Sequence, residues 1–162
     1  MLSLKAHLPD EPSTLALGAA LAAALEPGLA IYLRGELGAG KTTLVRGVLR
    51  ALGYAGPVKS PTYTLVELYE VSSLNLHHFD FYRFRDPREW TDAGFRESFT
   101  GRNVSLVEWP EKAGGLLPPA DIEIALQASG SGRSASLQAN SPIGTRTLEQ
   151  AATRFAFSPS TS

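Results

Sequence analysis

The chain has 162 residues, 43% of them apolar, with 15 basic and 16 acidic side chains and a formal net charge of −1. That length suits one domain with a real core, and the near-zero charge excludes a global field drawing the protein to nucleic acid or a membrane surface. Cysteine is absent, which excludes disulfides, thiolate zinc sites and thiol nucleophiles.

Leu2, Leu4, Ala6 and Leu8 alternate with Ser3, Lys5 and His7, the pattern of a half-buried strand that Pro9 ends. Asp10 or Ser13 can cap a helix running to about Leu25, with Leu15, Ala19, Ala22 and Leu25 inward, before Pro27-Gly28 stops it. The apolar stretch Leu15 to Leu25 is too short to span a bilayer. The first ten residues lack the basic opening of a secretory signal, so a cytoplasmic protein is expected, with neither membrane nor DNA as partner.

Leu29-Ala30-Ile31-Tyr32-Leu33 then reads as a buried strand. It runs into Gly35-Glu36-Leu37-Gly38-Ala39-Gly40-Lys41-Thr42, which fits the phosphate-binding pattern G-x-x-x-x-G-K-[ST]. Glycines let the backbone fold tightly over an anion with several N–H groups aimed inward. Lys41 would reach the β- and γ-phosphates and the Thr42 hydroxyl a Mg²⁺ ion. A helix follows over Thr43 to Leu52, with Leu44, Val48 (or Val45), Leu49 and Leu52 inward and Gly53 as its cap. Strand, glycine loop and helix in that order are the context the motif requires.

Downstream, Thr62 to Glu70 and Leu74 to Phe81 read as strands. Val71-Ser72-Ser73 is too short for a crossover, so they should form an antiparallel hairpin and make the sheet mixed. Asp86 to Phe99 can hold a short helix begun near Pro87. Asn103 to Val107 is a further strand, and Asp121 to Leu126 with Ser134 to Ala139 a hairpin around Ser129 to Gly132. Pro142 to Phe155 is expected as a last helix, in a single domain over residues 1–157, with a frayed tail from Ser158 to Ser162. The layout is an α/β, P-loop NTPase-like domain of three layers with a mixed parallel and antiparallel central sheet.

A P-loop needs a further anchor for the metal, usually a carboxylate at a strand end. Asp80 and Glu108 are the candidates. The more apolar run before Glu108 makes it the better match, while the alternation before Asp80 suggests partial exposure. One could bind Mg²⁺ directly and the other act through a water or orient the attacking water. Ser60-Pro61-Thr62-Tyr63-Thr64 lies where P-loop proteins often place a switch loop. His77 and His78, adjacent on a strand, face opposite sides and cannot share one metal. Trp109 is expected to pack near the nucleotide. Arg83, Arg85, Arg88, Arg96 and Arg102 read as a solvated face. Without the guanine-reading Asn-Lys-x-Asp, ATP is expected over GTP. Hydrolysis, metabolite phosphorylation by a small kinase, and a non-catalytic nucleotide-gated adaptor all remain open.

Four stretches in order carry a resemblance: the P-loop through Thr43, Val58 to Glu67, His78 to Arg83, and Val107-Glu108-Trp109-Pro110. Together they resemble the TsaE (YjeE) family over about Pro9 to Ile124. The resemblance implies a Mg²⁺-dependent ATPase that acts with TsaB and TsaD in placing threonylcarbamoyl on adenosine beside the anticodon of tRNAs reading ANN codons. Weak activity alone, stimulation by partners, and tRNA contact only through the complex are expected. It implies that Glu36, Leu37, Gly38, Ala39, Gly40, Lys41, Thr42, Thr43, Thr62 and Trp109 hold the nucleotide. Thr42 with Asp80 or Glu108 would hold the metal, and Lys41, Asp80 and Glu108 carry catalysis. The chain departs from the family at Asp86-Pro87-Arg88-Glu89-Trp90, where Asp-Pro-Glu-Glu-Leu is usual. Asp92 to Phe95 is only partly family-like, and the match weakens beyond Ala125.

Overall fold

The structure, a computed structural model, describes residues 2–86, 88–89, 94–99 and 101–159. These form one eight-stranded sheet in the order β3-β4-β5-β2-β6-β7-β1-β8. The strands are β1 (Ser3–Leu8), β2 (Ala30–Arg34), β3 (Val66–Val71), β4 (Leu74–Asp80), β5 (Val104–Glu108), β6 (Ile122–Ser129), β7 (Gly132–Ala139) and β8 (Ser158–Pro159). Three helices with both ends among the described residues are α1 (Glu11–Ala22), α2 (Lys41–Ala51) and α3 (Pro142–Ala151). Strands β4, β5, β2 and β6 are parallel and the remaining pairings antiparallel, so the sheet is mixed. The pleat sorts the core into two layers. Ile31, Leu33, Leu106 and Ile124 meet α1 and α2 through Leu17, Leu21, Leu44 and Leu49. Tyr32, Phe79, Phe81 and Val107 face the other way, into an aromatic cluster with Phe84 and Phe95. Short 3₁₀ helices over Phe95–Phe99 and Pro110–Leu116 contribute to that third layer.

The Asp10 side chain accepts from Ser13 N at 2.9 Å and caps α1. The helix ends at Ala22 rather than Leu25, and the chain turns at once to feed β2. Its inward face also differs from the expected one. Leu15 and Ala19 are half-buried, while Leu17, Gly18 and Leu21 are buried. An Ala- and Leu-rich helix is apolar nearly all round, so spacing alone does not choose a face. Close backbone approach chooses it instead. A Cβ on Gly18 would lie 2.6 Å from Leu44 O, and one on Gly47 would lie 2.5 Å from Leu15 O. Two glycines thus let α1 and α2 cross with backbones in contact.

The hairpin β3-β4 turns through Ser72 and Ser73, whose φ values of 51° and 66° fit a type I′ turn. β3 begins at Val66, not Thr62, because residues 62–64 fold back as a turn, with Leu65 N donating to Pro61 O. The helix expected from Asp86 falls partly on Pro87 and residues 90–93, which lie outside the described residues. Within its span Arg88 and Glu89 are helical and Phe95–Phe99 is 3₁₀. The last helix, capped by Ser141, ends at Ala151 rather than Phe155. Ser158 and Pro159, expected in the frayed tail, pair with Lys5 and Leu4 of β1. Residues 160–162 lie outside the described residues.

Candidate phosphate-binding site

The parallel strands all deliver their carboxyl ends to one edge of the sheet, the usual place for a ligand in such folds. There β2 passes into the glycine loop, β4 ends at Asp80 and β5 at Glu108, and the register sets Asp80 directly beside Glu108. Gly35 has φ 149°, and a Cβ there would stand 2.5 Å from Leu126 O, so the loop must begin on glycine. Gly40, at φ 107°, precedes α2 and offers no side-chain cap. The first N–H groups of α2 therefore remain for an anion.

A cleft of about 240 Å³ opens over this edge. Leu37, Gly38, Gly40, Lys41, Thr42, Thr43, Thr62, Asp80, Glu108 and Trp109 line it, joined by Ser60 and Tyr82. Two of the expected nucleotide-binding residues do not. Glu36 is exposed and Ala39 buried, joined by an Ala39 N to Glu36 O bond of 3.0 Å that shapes the loop.

Thr42 Oγ1 donates to the Glu108 carboxylate, at 3.0 Å from Oε2 and 3.2 Å from Oε1. Asp80 is buried, against the partial exposure expected of it. Its burial is offset by donors: Ser60 Oγ, Thr62 Oγ1 at 3.5 Å and Tyr82 N at 2.9 Å. Those first two bonds tie the 60–64 loop to the sheet. Trp109, at φ 57°, turns the chain sharply after Glu108 and lies under the Lys41 ammonium, 3.7 Å from the ring centroid. Lys41 also donates to Gly35 O. Burial lowers its pKa from 10.5, opposed by the charges of Glu108, Glu111, Asp80 and Glu36.

Sequence reasoning missed three partners. His78, fully buried, has Nε2 at 2.6 Å from Glu108 Oε2. Ser60 is the closest hydroxyl on Asp80. Arg133, at the start of β7, donates to Ala39 O at 3.1 Å and to Gly38 O at 2.8 Å, bracing the loop from behind. It also walls a second cleft of about 330 Å³, with Asp10, Glu11 and Thr14, that shares Gly38, Gly40 and Thr43 with the first. The adjacent histidine pair was a signal for His78. Arg133 gave none, because its partners are carbonyls.

No described group of three or more His, Asp or Glu side chains could hold a metal by itself. Two carboxylates and a hydroxyl suit Mg²⁺, which is usually held by one or two carboxylates together with substrate phosphates. No described helix is long and apolar enough to cross a membrane.

The model of the family described as threonylcarbamoyl adenosine biosynthesis protein TsaE matches residues 8–135. The tRNA threonylcarbamoyladenosine biosynthesis protein TsaE of Haemophilus influenzae is 44% identical over 149 residues, covering 89% of this chain and 94% of its own. The protein of that name from Bacillus subtilis is 38% identical over 130 residues, with coverages of 80% and 81%. The crystal structure of Bacillus subtilis YdiB aligns with a TM-score of 0.81 and 30% identity, over 94% of this chain and 97% of that one. The match therefore takes in the strand, glycine loop and helix, both carboxylates and the histidine beside one of them, and the chain belongs to the TsaE family.

Proposed function

We propose that this chain is the ATP-binding and ATP-hydrolysing subunit of tRNA threonylcarbamoyladenosine biosynthesis. In this reading it is cytoplasmic, works with TsaB and TsaD, and meets tRNA only through that complex. Family membership and the names of its relatives support the pathway. The chemistry rests on one observation: Thr42, Glu108 and Asp80 converge beside the glycine loop with Lys41 between loop and Trp109.

In this reading the loop N–H groups and Lys41 hold the β- and γ-phosphates and offset charge developing between them. Thr42 and Glu108 would hold Mg²⁺, which supplies further neutralisation of phosphate charge when bound. Asp80 is the second carboxylate. Held by Ser60, Thr62 and Tyr82 N, it would orient a water and couple the 60–64 loop to the phosphates. Lys41 is the one cation among the described residues lining the phosphate cleft. Arg133 has its guanidinium on loop carbonyls. This supports low activity alone, raised when a partner completes the site.

Phosphate release measured with Mg²⁺ tests the proposal, with and without TsaB and TsaD. Stimulation by the partners, abolished by Glu108→Gln, is expected. An equal rate with and without partners would refute the partner requirement. Transfer of the phosphoryl group to a metabolite would establish a kinase instead. Undiminished tRNA modification by Glu108→Gln would leave an adaptor.

A further inference from the structure

His78 sits on β4 with its ring wholly buried, and the proposed chemistry leaves it without a role. Its one described bond is the 2.6 Å contact from Nε2 to Glu108 Oε2, and Nδ1 is buried without a hydrogen-bond partner among the described residues. A carboxylate oxygen accepts, so the ring hydrogen aimed at Glu108 is the one on Nε2. An apolar residue would fill this position without leaving a polar atom unsatisfied. What the imidazole adds is one donor aimed at Glu108.

That donor matters because Glu108 has two described side-chain donors, His78 Nε2 and Thr42 Oγ1. A Thr42 hydroxyl drawn to a bound Mg²⁺ would coordinate through an oxygen lone pair and would keep or lose its bond to Glu108 as its rotamer turned, whereas the His78 donor is held on a strand. Strand pairing keeps the two in place: His78 stands opposite Leu106 and Asp80 opposite Glu108 on adjacent parallel strands, and His78, Asp80 and Glu108 project from the same face of the sheet. We propose that His78 is a positioning residue of the phosphate site, its Nε2–H holding the Glu108 carboxylate in one orientation toward Thr42 whether or not Thr42 stays bonded to it. The inference rests on the reading of Glu108 as a Mg²⁺ ligand. It adds that the ligand's orientation is set from β4, outside the cleft.

The first test needs no variant and no nucleotide. The ¹⁵N resonances of the His78 ring in the free protein should show a protonated Nε2, and a bare Nε2 would overturn the proposal. The second is ADP binding by titration calorimetry, in Mg²⁺ and in EDTA. His78→Leu should weaken binding about tenfold or more in Mg²⁺, the usual cost of losing a partner behind a metal ligand, and leave the EDTA value unchanged. His78→Gln, which restores a donor near the Nε2 position, should recover most of the loss. In a Glu108→Gln background His78→Leu should have no further effect. Equal loss in Mg²⁺ and EDTA, no recovery by glutamine, or a loss persisting without Glu108 would each assign His78 to the fold alone. Should His78→Leu fail to fold, the Nε2 resonance and the glutamine variant still decide. Failure of the underlying reading looks different: wild-type ADP binding would then be indifferent to Mg²⁺ and to Glu108→Gln.

Discussion

The crossing of α1 over α2 has a measurable cost built into two glycines. An alanine Cβ at Gly18 would lie 2.6 Å from Leu44 O and 2.8 Å from Val48 N, where ordinary contact begins at 3.4 Å. Both opposing atoms are backbone and cannot swing aside as a side-chain end would. The helices must separate, opening the layer that contains Leu17, Leu21, Leu44 and Leu49. Overpacking of this kind costs about 1–3 kcal/mol. Alanine in a helix recovers about 1 kcal/mol relative to glycine. Gly18→Ala should therefore destabilise by up to about 2 kcal/mol, read as a lower urea midpoint at unchanged slope. Gly47→Ala meets Leu15 O at 2.5 Å and should do the same. The two sites share one crossing, so the separation forced by one relieves the other, and the double variant should lose less than the sum. A Gly18→Ala protein more stable than the parent would mean that helix propensity outweighs contact, and that backbone approach does not set this crossing.

Other expectations follow from the site and the sheet. Lys41 is buried, and burying its charge is a cost that Lys41→Met removes. Its pKa is lowered from 10.5 in the folded state. The unfolded chain thus binds more protons between the folded value and 10.5, and the wild type gains stability there as pH rises. The stability gap in favour of Lys41→Met should narrow from pH 7 to pH 10 in urea titrations, and a widening gap would contradict the burial. Arg133→Leu removes two bonds from the glycine loop and should weaken ADP binding about fivefold, at roughly 1 kcal/mol for the lost loop order, with the urea midpoint nearly unchanged. Equal affinity would show that the loop holds its shape unaided. Ser72→Asn with Ser73→Gly suits the positive φ of the β3-β4 turn and should add about 1 kcal/mol of stability, while a loss would argue against the turn type.

The parts of this fold that show in sequence are those whose pattern has one solution. β1 alternates cleanly and β2 runs unbroken into a glycine loop. The two hairpins have connections too short for anything else. The face of α1 is illegible because a helix apolar all round presents no periodic choice, and Gly18 against Leu44 O decides it. The start of β3 misleads for another reason. Thr62 and Thr64 are good strand residues, yet Thr62 and Ser60 turn their hydroxyls to Asp80. That same bonding explains why Asp80, which looks half-exposed beside two histidines, is buried. In the site, the loop and both carboxylates are visible from spacing. The links His78 to Glu108 and Arg133 to Gly38 join residues 30 and 95 apart, and only the sheet order brings them together.

Asp80 and Glu108 are neighbours by strand register, and register comes in whole steps. Sliding β4 by a single residue would turn Asp80 to the opposite face and exchange Phe79 with it, at the expense of the aromatic layer. The spacing of the two carboxylates is therefore digital. It is independent of the length of the connections at residues 54–65 and 81–103. Insertions in those connections that spare Ser60, Thr62, Tyr82 and the buried Phe81, Phe84 and Phe95 would leave the distance between the acids fixed.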